Sequence, residues 1–311
     1  MEKNKKTFFD GEDPLFSRAL DRILPHLSAG QAAAIRMTLA AYPDGEAGLG
    51  EIRLRQGAPS TLTVWGGTVP LPSTPQEESL GRLVDRLCGG SLYAHREEIR
   101  RGYLSVGGGV RVGIVGKATR EGDEIGAVSE FTSLVIRVPH RIPGAGEGVL
   151  SAYRAGEGRR GVLIWAPPGM GKTTALRDFV SRLAVGKGPS LALVDTRGEF
   201  EGTLDGACHA DLLTGYSRAA GIRIALCALS PALIVCDEIG GAEEARAIEE
   251  AGLAGVPLVA SVHGASAGEV TRLPHLRRLF ENGYFGYLVG ISRRGREFAS
   301  ETVTWEEARR L

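Results

Sequence analysis

Residues 161–183 read GVLIWAPPGMGKTTALRDFVSRL. An apolar run, a glycine-containing loop and a helix-like stretch follow one another with no spare residues, and few folds accommodate that order. The pattern of a phosphate-binding loop is GxxxxGK[ST]. Here Ala166 stands at its first position, and Gly171, Lys172 and Thr173 match its end. The departure is tolerable, because the anion cradle consists of backbone N–H groups at the tight loop and the following helix N-terminus. Glycine is needed only where close phosphate approach excludes a side chain, and Gly169 and Gly171 meet that need. Ala166, Pro167, Pro168, Gly169, Met170, Gly171, Lys172, Thr173 and Thr174 are therefore the candidate cradle for ATP. Lys172 is placed to reach the β- and γ-phosphates, the Thr173 hydroxyl to bind Mg²⁺, and Thr174 to add a contact near the α-phosphate. A plain glycine-rich turn with a surface lysine is the alternative, and the strand before and helix after count against it.

The second half continues in the same texture. GVLIWA, LALVD, ALIVCD, PLVASV and YFGYLVGIS are short, nearly continuous apolar runs, as strands show when both sheet faces are covered. Helix-like segments separate them: KTTALRDFVSRLA, YSRAAGIRIALCAL, GAEEARAIEEAGLA and the region of GEVTRLPHLRRLF. That alternation predicts a mainly parallel sheet wrapped by helices, with ligands outside the carboxyl ends of the strands. In LSPALIVCDEIGG the apolar run delivers Asp237 and Glu238 to such an end. Asp237 suits an acidic contact to the Mg²⁺ shell and Glu238 the base that orients and deprotonates water; helix-capping surface charges are the other reading. One more strand, LALVD, intervenes in sequence between the loop and this acidic pair. With the glutamate after the aspartate, it points to the catalytic-glutamate, RecA-like branch of the P-loop NTPases.

Asp195, Arg197 and Glu199 follow that intervening strand and either line the site or cap the next element. His263 ends the PLVASV strand, where it either senses the γ-phosphate or serves the structure. Charge that builds on the γ-phosphoryl group calls for an arginine, supplied in cis or in trans. Arg218, Arg223, Arg111 and Arg137 are the candidates.

The first half alternates helical and strand-like pieces. FSRALDRILPHL and AGQAAAIRMTLAAY carry apolar residues at three- and four-residue spacing, with Pro25 near the end of the first. EIRLR and TLTVW alternate as strands, PQEESLGRLVDRLC reads as a helix, and YLSVGGGVRVGIVG as a hairpin turning on Gly107, Gly108 and Gly109. SLVIRV adds a strand. The Gly- and Pro-rich IPGAGEG then marks a change of texture, so the expected domains are 1–143, a smaller α+β unit, and 144–311, a P-loop ATPase unit.

Bulk properties remove other classes. With 311 residues and 43% hydrophobic composition the chain can bury a large core. Lys+Arg 37 balances Asp+Glu 37, and aromatics are 6%, so no global field or stacking surplus points to nucleic acid. No run reaches about 18 apolar residues, and MEKNKKTFFDGEDP lacks the apolar core of a signal peptide, so a cytoplasmic protein without its own membrane span is expected. Cys88, Cys208, Cys227 and Cys236 have no CxxC spacing and read as thiols in a reducing compartment.

Taken together, EIRLRQGAP, GGGVRVGIVGKA, SLVIRV, APPGMGKTT, LVDTRGEF, ALSPALIVCDEIG and VASVHG resemble the stage III sporulation protein AA family, relatives of the type II and type IV secretion ATPases. The resemblance spans residues 50 to 295. It implies ATP hydrolysis with Mg²⁺ by a homo-oligomeric ring, a hexamer, docked on membrane-embedded sporulation proteins at the channel between mother cell and forespore. It also places LVDTRGEF at an acidic box and VASVHG at a histidine box, which moves Asp195, Glu199 and His263 towards the site, and it aligns Arg137 with a nucleotide-facing arginine. Two competing readings are a nucleic-acid-stimulated ATPase and a nucleotide-binding scaffold without turnover.

Overall fold

The computed structural model describes residues 14–42, 45–72, 79–122, 124–204, 209–294 and 297–310. Chain contacts divide it after His140 into two units.

The first unit carries α1 (Pro14–Ile23), α2 (Ala29–Ala40), α3 (Gly45–Gly48), α4 (Leu80–Leu87) and α5 (Arg96–Arg100). Its strands are β1 (Leu49–Arg55), β2 (Thr61–Val64), β3 (Gly67–Pro70), β4 (Tyr103–Gly107), β5 (Val110–Glu121) and β6 (Glu124–Arg137). They form one antiparallel sheet in the order β3-β2-β1-β6-β5-β4. Alternation puts Ile52, Leu54, Val112, Ile114, Leu134 and Ile136 into a single core with the helices. The β4–β5 connection needs its glycines, since Gly107, Gly108 and Gly109 all have positive φ. The helix expected from residue 75 is seen as Leu80–Leu87; residues 73–78 lie outside the described residues. β5 and β6 run well past the alternating pattern; among the described residues of 117–127 few side chains are buried, so no two-residue period marks the extension.

The second unit contains α6 (Glu147–Ala155), β7 (Gly161–Ala166), α7 (Lys172–Leu183), β8 (Leu191–Asp195), β9 (Ala210–Thr214), α8 (Arg218–Ile224), β10 (Leu233–Glu238), α9 (Ala242–Leu253), β11 (Leu258–His263), α10 (Ala267–Thr271), α11 (Pro274–Glu281), β12 (Phe285–Arg294), β13 (Glu297–Thr304) and α12 (Trp305–Ala308). The sheet order is β13-β12-β7-β11-β10-β8-β9, parallel except for the β12–β13 hairpin. Successive residues of each central strand feed two cores. Leu163, Ala192, Ile234 and Ala260 face one, and Val162, Ile164, Leu193, Val235 and Val259 the other. That two-sided burial is why these strands read as unbroken apolar runs.

Three features depart from the sequence reading. IPGAGEG, where the texture of the sequence changes, is packed rather than open. Ile142 and Ala145 are buried in the second unit's core, and a Cβ on Gly146 would come within 2.5 Å of the Ala175 carbonyl. Its small residues thus permit close packing of α6 on α7. The expected helix over 216–229 is α8 followed by a π-helical turn, Ala225–Leu229, closed by Ser230 at φ +46°. Finally, β9 and β13 are sheet-edge strands of mixed polarity, which left no clear period to detect.

Candidate active site

Position 166 explains itself once the sheet is built. Ala166 is the last residue of β7, fully buried and in register with His263 of the parallel neighbour β11. It has ordinary strand backbone, so it needs no glycine. Its carbonyl accepts a hydrogen bond from Lys172 Nζ at 3.0 Å. The turn itself is made downstream. Gly169 has φ +77° and open space where a Cβ would point, and Gly171 has φ +96° with the Phe298 ring 2.5 Å from a built Cβ. Gly171 is also the N-cap of α7, so Lys172, Thr173 and Thr174 open the helix whose free N–H groups face the loop.

The sheet order brings the ends of three strands together. β11 lies between the loop strand β7 and the acidic strand β10. His263, at its end, is hydrogen-bonded on both sides: Nδ1 lies 2.7 Å from Lys172 Nζ and Nε2 2.9 Å from Glu238 Oε2. With the ammonium donating to Nδ1, the imidazole proton sits on Nε2 and is donated to Glu238. Lys172 is 7% exposed. Burial lowers its pKa, and the nearby Glu238 and Glu199 carboxylates work against that shift.

The segment after β8 folds back on itself. Both Asp195 oxygens accept backbone N–H groups, from Glu199 and from Phe200, each at 2.8 Å. Asp195 is fully buried, and its pKa is raised from 3.8 to about 6, chiefly by desolvation, with these N–H donors opposing and the Asp237 charge adding to the rise. Asp195 thereby shapes the turn that presents Glu199, whose Oε2 accepts the Thr173 hydroxyl at 2.8 Å. Arg177 completes the turn by donating from Nε to the Glu199 carbonyl at 2.6 Å. Nothing in the local pattern marks Arg177, a mid-helix arginine; Ser261, which donates to the Asp237 carbonyl at 3.0 Å, was equally illegible.

Asp237 is buried at the end of β10, and Arg218 of α8 donates to it from Nε at 2.7 Å. Desolvation raises the Asp237 pKa, and Arg218 pulls it back. The other candidate arginines have local partners of their own. Arg223 forms a two-point pair with Glu250 of α9 at 2.9 and 3.2 Å. Arg137, on β6 of the first unit, lies 3.6 Å from Glu51, and Arg111 stacks over Tyr103 with 4.1 Å to the ring centroid.

Comparisons with known proteins show the family and the fold. A family model described as "Sporulation stage III, protein AA" matches residues 25–301. The chain belongs to that family. Stage III sporulation protein AA of Bacillus subtilis (strain 168) is 32% identical over 253 residues, covering 78% of this chain and 82% of its own. Among solved structures, the ATPase DotB of Legionella pneumophila superimposes with a TM-score of 0.60 at 19% identity, covering 99% of this chain and 85% of DotB. The pilus retraction motor PilT with bound ADP gives 0.56 at 16% identity, covering 83% and 80%. The fold is that of a P-loop NTPase, RecA-like, with a second sheet in the other unit.

The side chains of this family member also suit a magnesium ion. Among the described residues no group of three or more His, Cys, Asp or Glu forms a metal cage. Mg²⁺ needs none, since it keeps several waters and takes one or two protein oxygens beside substrate phosphates. The Thr173 hydroxyl is held by Glu199, and the buried Asp237 carboxylate feels the Glu199 charge. Hard oxygen donors at the loop's helix and at the acidic strand end are the set such an ion takes. Of the four cysteines, Cys88, Cys227 and Cys236 are free thiols, and Cys208 lies outside the described residues.

Proposed function

We propose that this protein hydrolyses ATP in the presence of Mg²⁺ and that it works as a secretion-type motor of endospore formation. The observation that carries the reading is the continuous chain Lys172–His263–Glu238, which ties the loop lysine to the strand-end carboxylate across three adjacent strand ends.

In this reading residues 144–311 are the ATPase domain and 1–143 the α+β domain. The N–H groups from Gly169 to Thr174 hold the phosphates, and Lys172 leaves the Ala166 carbonyl to pair with the β- and γ-oxygens. Thr173 and Asp237 would hold the metal, and Mg²⁺ would supply positive charge that offsets the phosphate charge. Glu238 orients the attacking water and takes its proton, and His263 reports the γ-phosphate to it. Asp195 acts by positioning Glu199. Arg137, from the same or a neighbouring subunit, is the candidate for the γ-phosphoryl charge, with Arg218 and Arg223 the alternatives. No helix among the described residues is long and apolar enough to cross a membrane. A ring of six subunits, cytoplasmic and held at the mother cell–forespore channel by membrane-embedded partners, is the assembly this reading requires.

The test is ATP turnover measured against protein concentration, with mass followed by light scattering, for wild type, Lys172→Ala and Arg137→Ala. The reading expects Mg²⁺-dependent turnover per subunit that rises with assembly and is lost in Lys172→Ala. Nucleotide binding without turnover at every assembly state would leave a scaffold instead. Turnover that appears only with single-stranded DNA and falls steeply with salt would favour a nucleic-acid-stimulated enzyme.

A further inference from the structure

Arg218 stands in an unexpected place. It is the first residue of α8, after Ser217, whose hydroxyl accepts the Ala220 N–H at 3.3 Å. The first turn of a helix presents unsatisfied N–H groups and the positive end of the helix dipole, so a cation there is disfavoured by the helix itself. It is held instead by Asp237: Nε donates to Oδ1 at 2.7 Å and Nη2 approaches Oδ2 at 3.5 Å. The pair is largely out of water, with side-chain exposures of 17% and 5%. A guanidinium therefore covers the same carboxylate that the proposed ATP site gives to the metal shell.

α8 sits tight against β8, where a Cβ on Gly221 would be 2.5 Å from Val194. It continues into the π-helical turn Ala225–Leu229, which ends at Ser230 in left-handed backbone, φ +46°. A π-turn holds one residue more than an α-turn and is frequent at functional sites. On the far side of this turn lies β10, the strand that carries Asp237.

We propose that Arg218 is an exchangeable counter-cation: it neutralises Asp237 while the metal is absent and is displaced when Mg²⁺ enters with nucleotide. Metal entry and release of the Arg218 side chain from the strand end are then one event. Arg218 is a positioning residue in this scheme, and it sets how much Mg²⁺ the site needs. The inference rests on the ATP-site reading.

The experiment is a Mg²⁺ titration of the binding of a fluorescent, non-hydrolysable ATP analogue to the full chain, for wild type, Arg218→Gln and Arg218→Lys. The Mg²⁺ midpoint is expected to fall at least about tenfold in Arg218→Gln, which removes the competing cation, and to stay near wild type in Arg218→Lys, which keeps one. An unchanged or higher midpoint in Arg218→Gln overturns the proposal. Because that variant leaves Asp237 without its partner and can fail to fold, wild type supplies a second measurement. Phenylglyoxal modification of Arg218, read by mass spectrometry, should be faster with Mg²⁺ and ADP than with ADP and EDTA, and equal rates overturn it. If wild type binds no nucleotide at any Mg²⁺ concentration, the ATP-site reading fails and takes this inference with it; binding with an unshifted midpoint sinks the inference alone.

Discussion

Ala166→Gly would restore the phosphate-loop pattern to its usual form, and the structure says that this restoration does harm. Residue 166 is the end of a buried strand, paired with His263, and its methyl group is fully enclosed. Removing a buried methyl costs about 0.8 kcal/mol, and glycine in a strand adds roughly 0.5–1 kcal/mol of backbone entropy. The sum is about 1–2 kcal/mol, read in urea unfolding or as a fall in Tm of about 2–4 °C for each kcal/mol. The Lys172 contact at this position is to the backbone carbonyl, which glycine retains, so affinity for an ATP analogue should not change. Gly169→Ala should cost similar stability but act on binding. Its φ of +77° makes alanine cost roughly 1–2 kcal/mol, with no atom within 4 Å to clash, yet the new methyl intrudes where phosphate must approach. Binding is then lost with modest loss of stability. Calorimetric titration of both variants decides the matter. A tenfold tighter Ala166→Gly, or a Gly169→Ala that binds as wild type does, would refute the assignment of the cradle to residues 169–174.

Glu238→Gln should keep nucleotide binding and lower turnover by about 10²–10⁴-fold, as removal of a general base does; a single-turnover assay with unchanged rate would reject Glu238 as the base. Gly171→Ala should destabilise more than Gly169→Ala, because the new Cβ meets the Phe298 ring at 2.5 Å in addition to the strained φ of +96°; equal unfolding midpoints for the two would count against this packing. Asp195 links stability to pH. Its folded pKa, about 6, lies above the unfolded 3.8, so the folded state binds the proton more tightly and Asp195's contribution to stability rises as pH falls from about 7 towards 4. The full effect is on the order of 3 kcal/mol. Urea midpoints at pH 8, 6 and 5 should show the rise, and Asp195→Asn should flatten it, while losing about 1–3 kcal/mol overall because its amide nitrogen faces a backbone donor.

Much of the candidate site was written locally. The loop from Gly169 to Thr174, the strand delivering Asp237 and Glu238, and the apolar runs of the central sheet follow from short-range pattern, since local backbone geometry and two-sided burial demand particular residues at successive positions. Strand order in a parallel sheet is different, because each strand looks alike and its neighbour lies tens of residues away. Only the tertiary structure set β11 between β7 and β10, and so made His263 the link between Lys172 and Glu238. Only it turned Asp195 inward to backbone donors, leaving Glu199 as the side chain that meets Thr173. Among four candidate arginines of equal local character, it gave Arg218 to Asp237 and Arg223 to Glu250. A long charged side chain carries no period of its own, and its partner is chosen by which elements the fold brings within its reach.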